Sequence, residues 1–285
     1  MTIVAHSIAE VRSAVIQWRA EGKSIGLVPT MGFLHEGHQS LIDQAVCDCD
    51  CVVVSVFVNP TQFGPGEDLE SYPRDFDHDL ALCQAAGAAL VFHPDAEELY
   101  YPNRSTIIHM ADLSEELCGK SRPIHFDGVC LIVAKLFNIV TPDRAYFGQK
   151  DAQQLLIIKR MVRDLNFPLE IVGCPIIRES DGLAKSSRNT YLSESERAAA
   201  VVLSQAIAQG HKLADSGERD PRAITAAMRT TIEREPLANI EYVEIVSQEH
   251  IKPLDGLIDQ PILCAIAVRI GTTRLIDNFF FDPNA

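Results

Sequence analysis

Thirteen residues near the N-terminus carry the groups best suited to chemistry: Leu27-Val28-Pro29-Thr30-Met31-Gly32-Phe33-Leu34-His35-Glu36-Gly37-His38-Gln39. Two imidazoles three positions apart can donate hydrogen bonds to phosphate oxygens. Protonated, they add positive charge where a transition state is anionic. An apolar run over 25–28 precedes the loop, and Ser40-Leu41-Ile42 reads as the first turns of a helix. Strand, loop and helix N-terminus together predict a phosphate site, because the first N–H groups of a helix attract an anion. Gly32 and Gly37 let the backbone approach a ligand closely. The plainer alternative is a turn whose histidines merely cap the helix.

Four further segments offer partners for such a ligand. Gly148-Gln149-Lys150-Asp151 leaves a predicted strand and enters a helix that Asp151 can cap, with Lys150 as a candidate phosphate ligand. Asp181-Gly182-Leu183-Ala184-Lys185-Ser186-Ser187-Arg188-Asn189 puts two cations and two hydroxyls beside a glycine. Such a loop can close on a triphosphate and stabilise charge at the attacked α-phosphorus. In Phe57-Val58-Asn59-Pro60-Thr61-Gln62-Phe63-Gly64, Asn59 and Gln62 suit hydroxyls or a carboxylate better than a phosphate, and Gln154 can join them. Asp75, Asp77 and Asp79, with His78, offer carboxylates of the kind that hold a magnesium ion bound with ATP. Asp79 is the expected metal ligand, set against a solvated acidic helix start.

These segments need a scaffold, and the hydropathy pattern predicts one. Helices are expected over 11–20, 38–46, 75–86, 128–140 and 151–165, and strands over 25–28, 51–58, 88–92, 144–147 and 169–174. Alternation at this spacing implies α/β architecture, a Rossmann-like open parallel sheet covered on both faces. Ligands of such sheets bind beyond the strands' carboxyl ends, so the loops at 30–38, 59–66 and 148–151 should converge on one crevice. After Ile177 the pattern changes to helices over 194–214 and 221–234, then strands over 240–247, 262–270 and 273–280. That predicts a smaller C-terminal α+β domain, with the division at 1–176 and 177–285.

Composition narrows the function classes. The 285 residues are 47% hydrophobic, enough for a sizeable core, and the formal net charge is −14. A nucleic-acid binder needs a basic surface, so that class is disfavoured. The eight cysteines read as small buried hydrophobes in a reducing compartment, since no paired C-x-x-C suggests zinc. No leader-like N-terminus or membrane-length apolar stretch is visible, so a cytoplasmic location and no membrane partner are expected.

Six motifs then carry a resemblance. Pro29-Thr30-Met31-Gly32-x-Leu34-His35-x-Gly37-His38, Phe57-Val58-Asn59-Pro60-x-Gln62-Phe63, Tyr72-Pro73-Arg74, His125-Phe126-x-Gly128-Val129, Gly148-x-Lys150-Asp151-x-Gln153-Gln154 and Asp181-Gly182-Leu183-Ala184-x-Ser186-Ser187-Arg188-Asn189 occur in this order. Together they resemble the pantoate–β-alanine ligase family, specifically over 25–192 and more loosely to the C-terminus. The resemblance implies a nucleotidyltransferase-like fold and the joining of pantoate to β-alanine with ATP and magnesium, through an enzyme-held pantoyl adenylate. It implies that Met31, Gly32, Phe33, Leu34, His35, Glu36, Gly37 and His38 surround ATP, with Gly148, Gln149, Lys150, Asp151, Ile177, Lys185, Ser186, Ser187 and Arg188 completing the nucleotide site. His38, His35, Lys150 and Arg188 take catalytic roles, Gln62 and Gln154 bind pantoate, and Arg122 and His125 lie near the cleft. A homodimer is expected on the same ground.

Two positions depart from the family pattern. Lys185 stands where many members have Met, adding a charge to the closing loop. Gln149 stands where many have Glu, removing one near the phosphates. Other readings are a different adenylyl- or cytidylyltransferase of the same fold, a nucleotide-binding regulator without catalysis, and a tRNA-binding synthetase. The paired glutamines and Ser-Ser-Arg disfavour the first, the retained histidines, lysine and arginine the second, and the negative charge the third.

Overall fold

The runs Ile25-Gly26-Leu27-Val28 and Cys51-Val52-Val53-Val54 have no polar face, so a sheet built from them must be covered on both sides. A computed structural model, which describes residues 2–284, shows this sheet. The chain divides into two units. The first takes Met1–Met110, Arg122–Gln149 and Ile157–Pro175, and the second takes Ala111–Ser121, Lys150–Leu156 and Ile176–Ala285.

In the first unit the order is β1 (Ile3–Ala5), α1 (Ile8–Ala20), β2 (Ile25–Thr30), α2 (Glu36–Asp48), β3 (Cys51–Val56), α3 (Phe76–Ala85), β4 (Leu90–Phe92), α4 (His125–Val140) and β5 (Arg144–Gly148). Helix α5 (Ala152–Asp164) follows, its first turns belonging to the second unit, and β6 (Glu170–Cys174) completes the sheet. The six strands run in the order β1-β4-β3-β2-β5-β6, and every pairing is parallel. Side chains such as Val28, Ile42, Ala45, Val54 and Val91 are fully buried on one face, between the sheet and α2 and α3.

Helix starts follow their caps. Helix α1 begins three residues earlier than hydropathy predicts, because Ser7 and Glu10 form a capping box. The expected helix over 194–214 is two helices, α6 (Glu194–Ala199), opened by a Ser193/Glu196 capping box, and α7 (Val202–Asp215). They precede α8 (Pro221–Ile232) and the antiparallel β7 (Ala238–Ser247), β8 (Ile262–Ile270) and β9 (Thr273–Phe281). The buried Ile224, Met228 and Ile232 of α8 join Ile207 of α7 over the inner face of this sheet.

The second unit takes in 111–121 and 150–156 besides the stretch from 176 onward. Buried Gln153 donates to the carbonyls of Leu113 (2.9 Å) and Glu116 (2.7 Å) and accepts from the N–H of Cys118 (3.0 Å). Ser121 Oγ then donates to Glu241 at 2.8 Å. These bonds gather 111–121 and the start of α5 onto the C-terminal strands. Nothing in a hydropathy pattern reports such long-range pairing. All eight cysteines are thiols, seven of them buried. Burial pushes those of Cys83 and Cys130 up to about 12, as expected for inert packing groups.

Gly128 is a steric requirement of the first unit. A Cβ at Gly128, in the first turn of α4, would lie 2.3 Å from the carbonyl oxygen of Thr61 and 2.6 Å from the Cα of Gln62. Neither is a flexible side-chain end, so helix or turn must move. Gly128→Ala is expected to destabilise the chain by about 1–3 kcal/mol, as overpacking does. Gly148→Ala, where the added atom meets nothing within 4 Å, is expected to change stability by less than about 0.5 kcal/mol. Urea denaturation midpoints of the two variants check the contrast.

Candidate active site

The carboxyl ends of β2 and β3 present the loop at 31–35 and the 3-10 turn Pro60–Gln62. Thr30 Oγ1 donates to the carbonyl of Ser55 at 2.6 Å, and the N–H of Phe57 donates to the carbonyl of Thr30. The two loops therefore leave the sheet side by side, and Gln62 Nε2 reaches Met31 Sδ at 3.0 Å. Of the expected convergence, these two members are brought together within the first unit.

Asp79 holds the first loop. It is 1% exposed, and its two carboxylate oxygens accept from the N–H of Phe33 (2.8 Å) and of Leu34 (2.6 Å). Its neighbour His78 places Nε2 3.1 Å from the carbonyl of Leu34. Under this grip Gly32 (φ 79°) and Phe33 (φ 50°) are left-handed. Only glycine fits at 32, since a Cβ there would stand 2.9 Å from Asp79 Oδ2 and 3.1 Å from Val56 Cγ1. In this structure Asp79, the expected metal ligand, anchors the loop instead of joining an acidic cluster, with one backbone N–H bound to each oxygen. No group of three or more His, Cys, Asp or Glu among the described residues is arranged for a metal ion.

The two histidines cap helix α2 reciprocally. His35 is the N-cap residue, and its Nδ1 accepts from the N–H of Gly37 at 3.1 Å. His38 Nδ1 accepts from the N–H of His35 at 3.3 Å. A backbone N–H can only donate, so each Nδ1 must be the lone-pair nitrogen. A neutral ring then carries its proton on Nε2. The rings lie 4.2 Å apart between centroids. Capping, the plainer alternative, is thus real, and it makes each Nε2–H a donor.

The 59–62 turn is equally specified. Asn59 (1% exposed) and Gln62 (7%) are buried, so Gln62 is not a solvated loop residue. His125 Nδ1 lies 3.0 Å from the carbonyl of Gln62 and, facing an acceptor, must carry a proton. Arg122 donates through Nε and Nη2 to the two oxygens of Glu67, each at 2.7 Å, and through Nη2 to that same carbonyl at 3.4 Å. Burial works against the charge of Glu67, but the guanidinium outweighs it and holds the carboxyl below its usual range.

In the second unit Lys150 lies 4.0 Å from Asp151, and its carbonyl accepts from Asn278 Nδ2 at 2.9 Å. Gln154 is half-buried in the first turn of α5, next to the structural Gln153. The stretch 177–185 is a tied hairpin, not an open loop. Ile177 accepts from Lys185 N–H (2.9 Å), Glu179 N–H donates to Leu183 (2.8 Å), and left-handed Gly182 turns the chain. Lys185 Nζ sits 3.8 Å from Glu179, so its added charge has a local counter-ion. Ser186 caps the 3-10 segment Ser187–Tyr191 by accepting from the N–H of Arg188, and Asn189 anchors it by donating to the carbonyl of Ala184 at 3.1 Å. Arg178 makes a two-pronged pair with the buried Asp277, at 2.7 and 3.0 Å.

Three residues were overlooked at the sequence level as organisers: His78, Tyr100 and Asn278. Only His78 had a local signal, its place beside Asp79.

Burial raises the pKa of Asp79, and the two N–H groups oppose that shift only in part. A raised folded-state value means that its titration contributes stability below the ordinary carboxylate pKa and loses it as pH rises through the folded value. Asp79→Asn removes the titration. The stability advantage of wild type over Asp79→Asn is therefore expected to shrink as pH rises from acid through this window, then level off. Denaturation midpoints of both proteins across that range check the sign. Asp79→Ala, which leaves two backbone N–H groups without acceptors, is expected to cost about 2–4 kcal/mol.

With this geometry in hand, comparison with known proteins is direct. Residues 3–280 match the pantoate-beta-alanine ligase family. The chain is 56% identical over 282 residues to pantothenate synthetase from Clostridioides difficile (99% of this chain, 100% of that one), and 57% identical over 279 residues to that from Ruminiclostridium cellulolyticum (98% and 99%). The crystal structure of pantothenate synthetase from Thermus thermophilus superimposes with a TM-score of 0.92 at 43% identity, covering 98% of this chain and 99% of the other. A Francisella tularensis pantoate-beta-alanine ligase, complexed with beta-gamma ATP and beta-alanine, gives 0.80 at 31% identity (100% and 99%). By fold, by motif order and by identity along nearly its whole length, the chain belongs to the pantoate–β-alanine ligase family.

Proposed function

We propose that this chain condenses (R)-pantoate with β-alanine using ATP, yielding pantothenate, AMP and pyrophosphate. The observation that carries the reading is the His35–His38 loop, whose backbone fixes two Nε2–H donors at the start of a helix, in a chain with family identity from end to end.

A carboxylate is a poor electrophile, so an amine cannot displace its oxygen directly. In the first half-reaction a pantoate carboxylate oxygen bonds to the α-phosphorus as the bond to the bridging oxygen breaks, and pyrophosphate leaves. In the second, the neutral amine of β-alanine bonds to the acyl carbon, AMP leaves with the C–O electrons, and the amine loses a proton. Both steps concentrate negative charge on phosphate oxygens, and pre-set hydrogen-bond donors stabilise such charge most effectively. His35 and His38 serve this role at the nucleotide, with the segment from Met31 to Leu34 beside it. The family match supports Gly148, Gln149, Lys150, Asp151, Ile177, Lys185, Ser186, Ser187 and Arg188 as further ATP contacts, and Gln62 and Gln154 as pantoate ligands.

Magnesium belongs to the substrate in this reading, carried on the phosphates of ATP. Among the described residues no group of three or more His, Cys, Asp or Glu is arranged for a metal ion, and Asp79 anchors Phe33 and Leu34. A cytoplasmic homodimer completes the proposal. Among the described residues no helix is long and apolar enough to cross a membrane.

Pyrophosphate release from ATP should require pantoate, and AMP should accumulate catalytically only when β-alanine is added. No pantoate-dependent pyrophosphate under any condition rejects the ligase. His38→Ala and Lys150→Ala should each lower turnover about 10²–10³-fold, the usual effect of removing one electrostatic donor. Unchanged steady-state kinetics in both variants would reject their roles.

A further inference from the structure

Around Gln62 the hydrogen bonds leave one choice of amide orientation. Asn59 lies against two backbone groups of fixed polarity: its Nδ2 is 3.1 Å from the carbonyl oxygen of Gly128, which only accepts, and its Oδ1 is 3.4 Å from the N–H of Thr61, which only donates. The Asn59 amide cannot be reversed without facing like against like at both ends. Its Nδ2 also donates to Gln62 Oε1 at 2.9 Å, so the oxygen of Gln62 is taken and its Nε2 is the end beside Met31. Tyr100 closes the chain. Its hydroxyl donates to Asn59 Oδ1 at 2.7 Å, and Thr61 Oγ1 donates to the same oxygen at 2.9 Å. Burial pushes the phenol of Tyr100 up, so it keeps the proton it donates. The ring is held independently, by Arg104 at 5.3 Å and Lys135 at 5.8 Å from its centroid.

We propose that Tyr100 is a positioning residue: by donating to Asn59 Oδ1 it holds in place the amide whose orientation the backbone sets, and so keeps Gln62 with its NH₂ toward substrate, where Gln62 donates to a substrate oxygen and accepts from nothing. The sequence of donors runs Tyr100 to Asn59 to Gln62: the phenol gives to Asn59 Oδ1, and Asn59 Nδ2 gives to Gln62 Oε1. Gln62 then favours a carboxylate or hydroxyl oxygen, as pantoate offers, and disfavours an ammonium group. A charged β-alanine amine gains nothing from this side chain. The inference rests on the ligase reading for the identity of the substrate, though not for the orientation of the amide.

The test is a double-mutant cycle on pantoate use. Tyr100→Phe keeps the ring and its cationic neighbours and deletes one hydrogen bond. It is expected to lower kcat/KM for pantoate about threefold to tenfold, with KM for ATP unmoved. In backgrounds carrying Gln62→Ala or Gln62→Glu, neither of which has an amide to orient, Tyr100→Phe is expected to have no further effect. Rates taken in the linear low-pantoate range keep the comparison readable when saturation is lost. The same fold-loss in all three backgrounds, an equal change in KM for ATP, or no loss in the single variant would each overturn the proposal. Wild-type protein that releases no pyrophosphate with pantoate overturns the ligase reading itself, a result distinct from any of these.

Discussion

A backbone N–H only donates and a backbone carbonyl only accepts, and in this fold that asymmetry decides what the polar side chains of the first unit can do. Asp79 faces two N–H groups and is held as a double acceptor. His35 and His38 each face one N–H, which assigns the lone pair to Nδ1. His125 faces a carbonyl and so carries its proton on Nδ1. Asn59 sits between a carbonyl and an N–H and passes its orientation to Gln62. A rigid parallel sheet places these backbone groups, and the side chains have little freedom left. Such preorganisation is what charge-stabilising catalysis requires, because donors already in place need no rearrangement as charge develops.

The second unit obeys the same logic with charged groups. Lys185 and Arg197 each lie within 4 Å of Glu179 in a chain of contacts around the 177–185 hairpin, and Arg178 is pinned on the buried Asp277. The hairpin is thus fixed before the Ser186–Arg188 segment begins. Lys185, a departure from the family pattern, is absorbed by Glu179 and does not stand as an uncompensated charge. In the proposed reaction, whose anhydride intermediate water destroys, rigid flanks around the proposed ATP-binding segment favour alignment over hydrolysis.

Much of this was legible in the sequence. The parallel sheet followed from apolar runs without a polar face, as at Val52-Val53-Val54, and the His-x-Gly-His loop stood out by its place between strand and helix. The smaller α+β end of the chain followed from the change of pattern after Ile177. What hydropathy could not reveal was pairing across distance. Gln153 stood in one of the six family motifs with no role assigned, and it ties 113–118 to the start of α5. Asp79 looked like a metal ligand because an acidic helix start resembles one, and only its burial against Phe33 and Leu34 discloses its task. Tyr100 lies 41 residues from Asn59 in the chain, and no local pattern marks it. The capping box at Ser7/Glu10 was readable from spacing and would have corrected the start of α1, while the one at Ser193/Glu196 agrees with the start expected at 194.

The central claim, that the backbone dictates the polarity of the site, is tested most directly at the histidines. Nitrogen-15 NMR of the ring nitrogens of His35 and His38, recorded where both rings are neutral, distinguishes a protonated nitrogen from a lone-pair one. The account predicts that in both residues Nε2 carries the proton and Nδ1 does not. A proton on Nδ1 of either ring would contradict it.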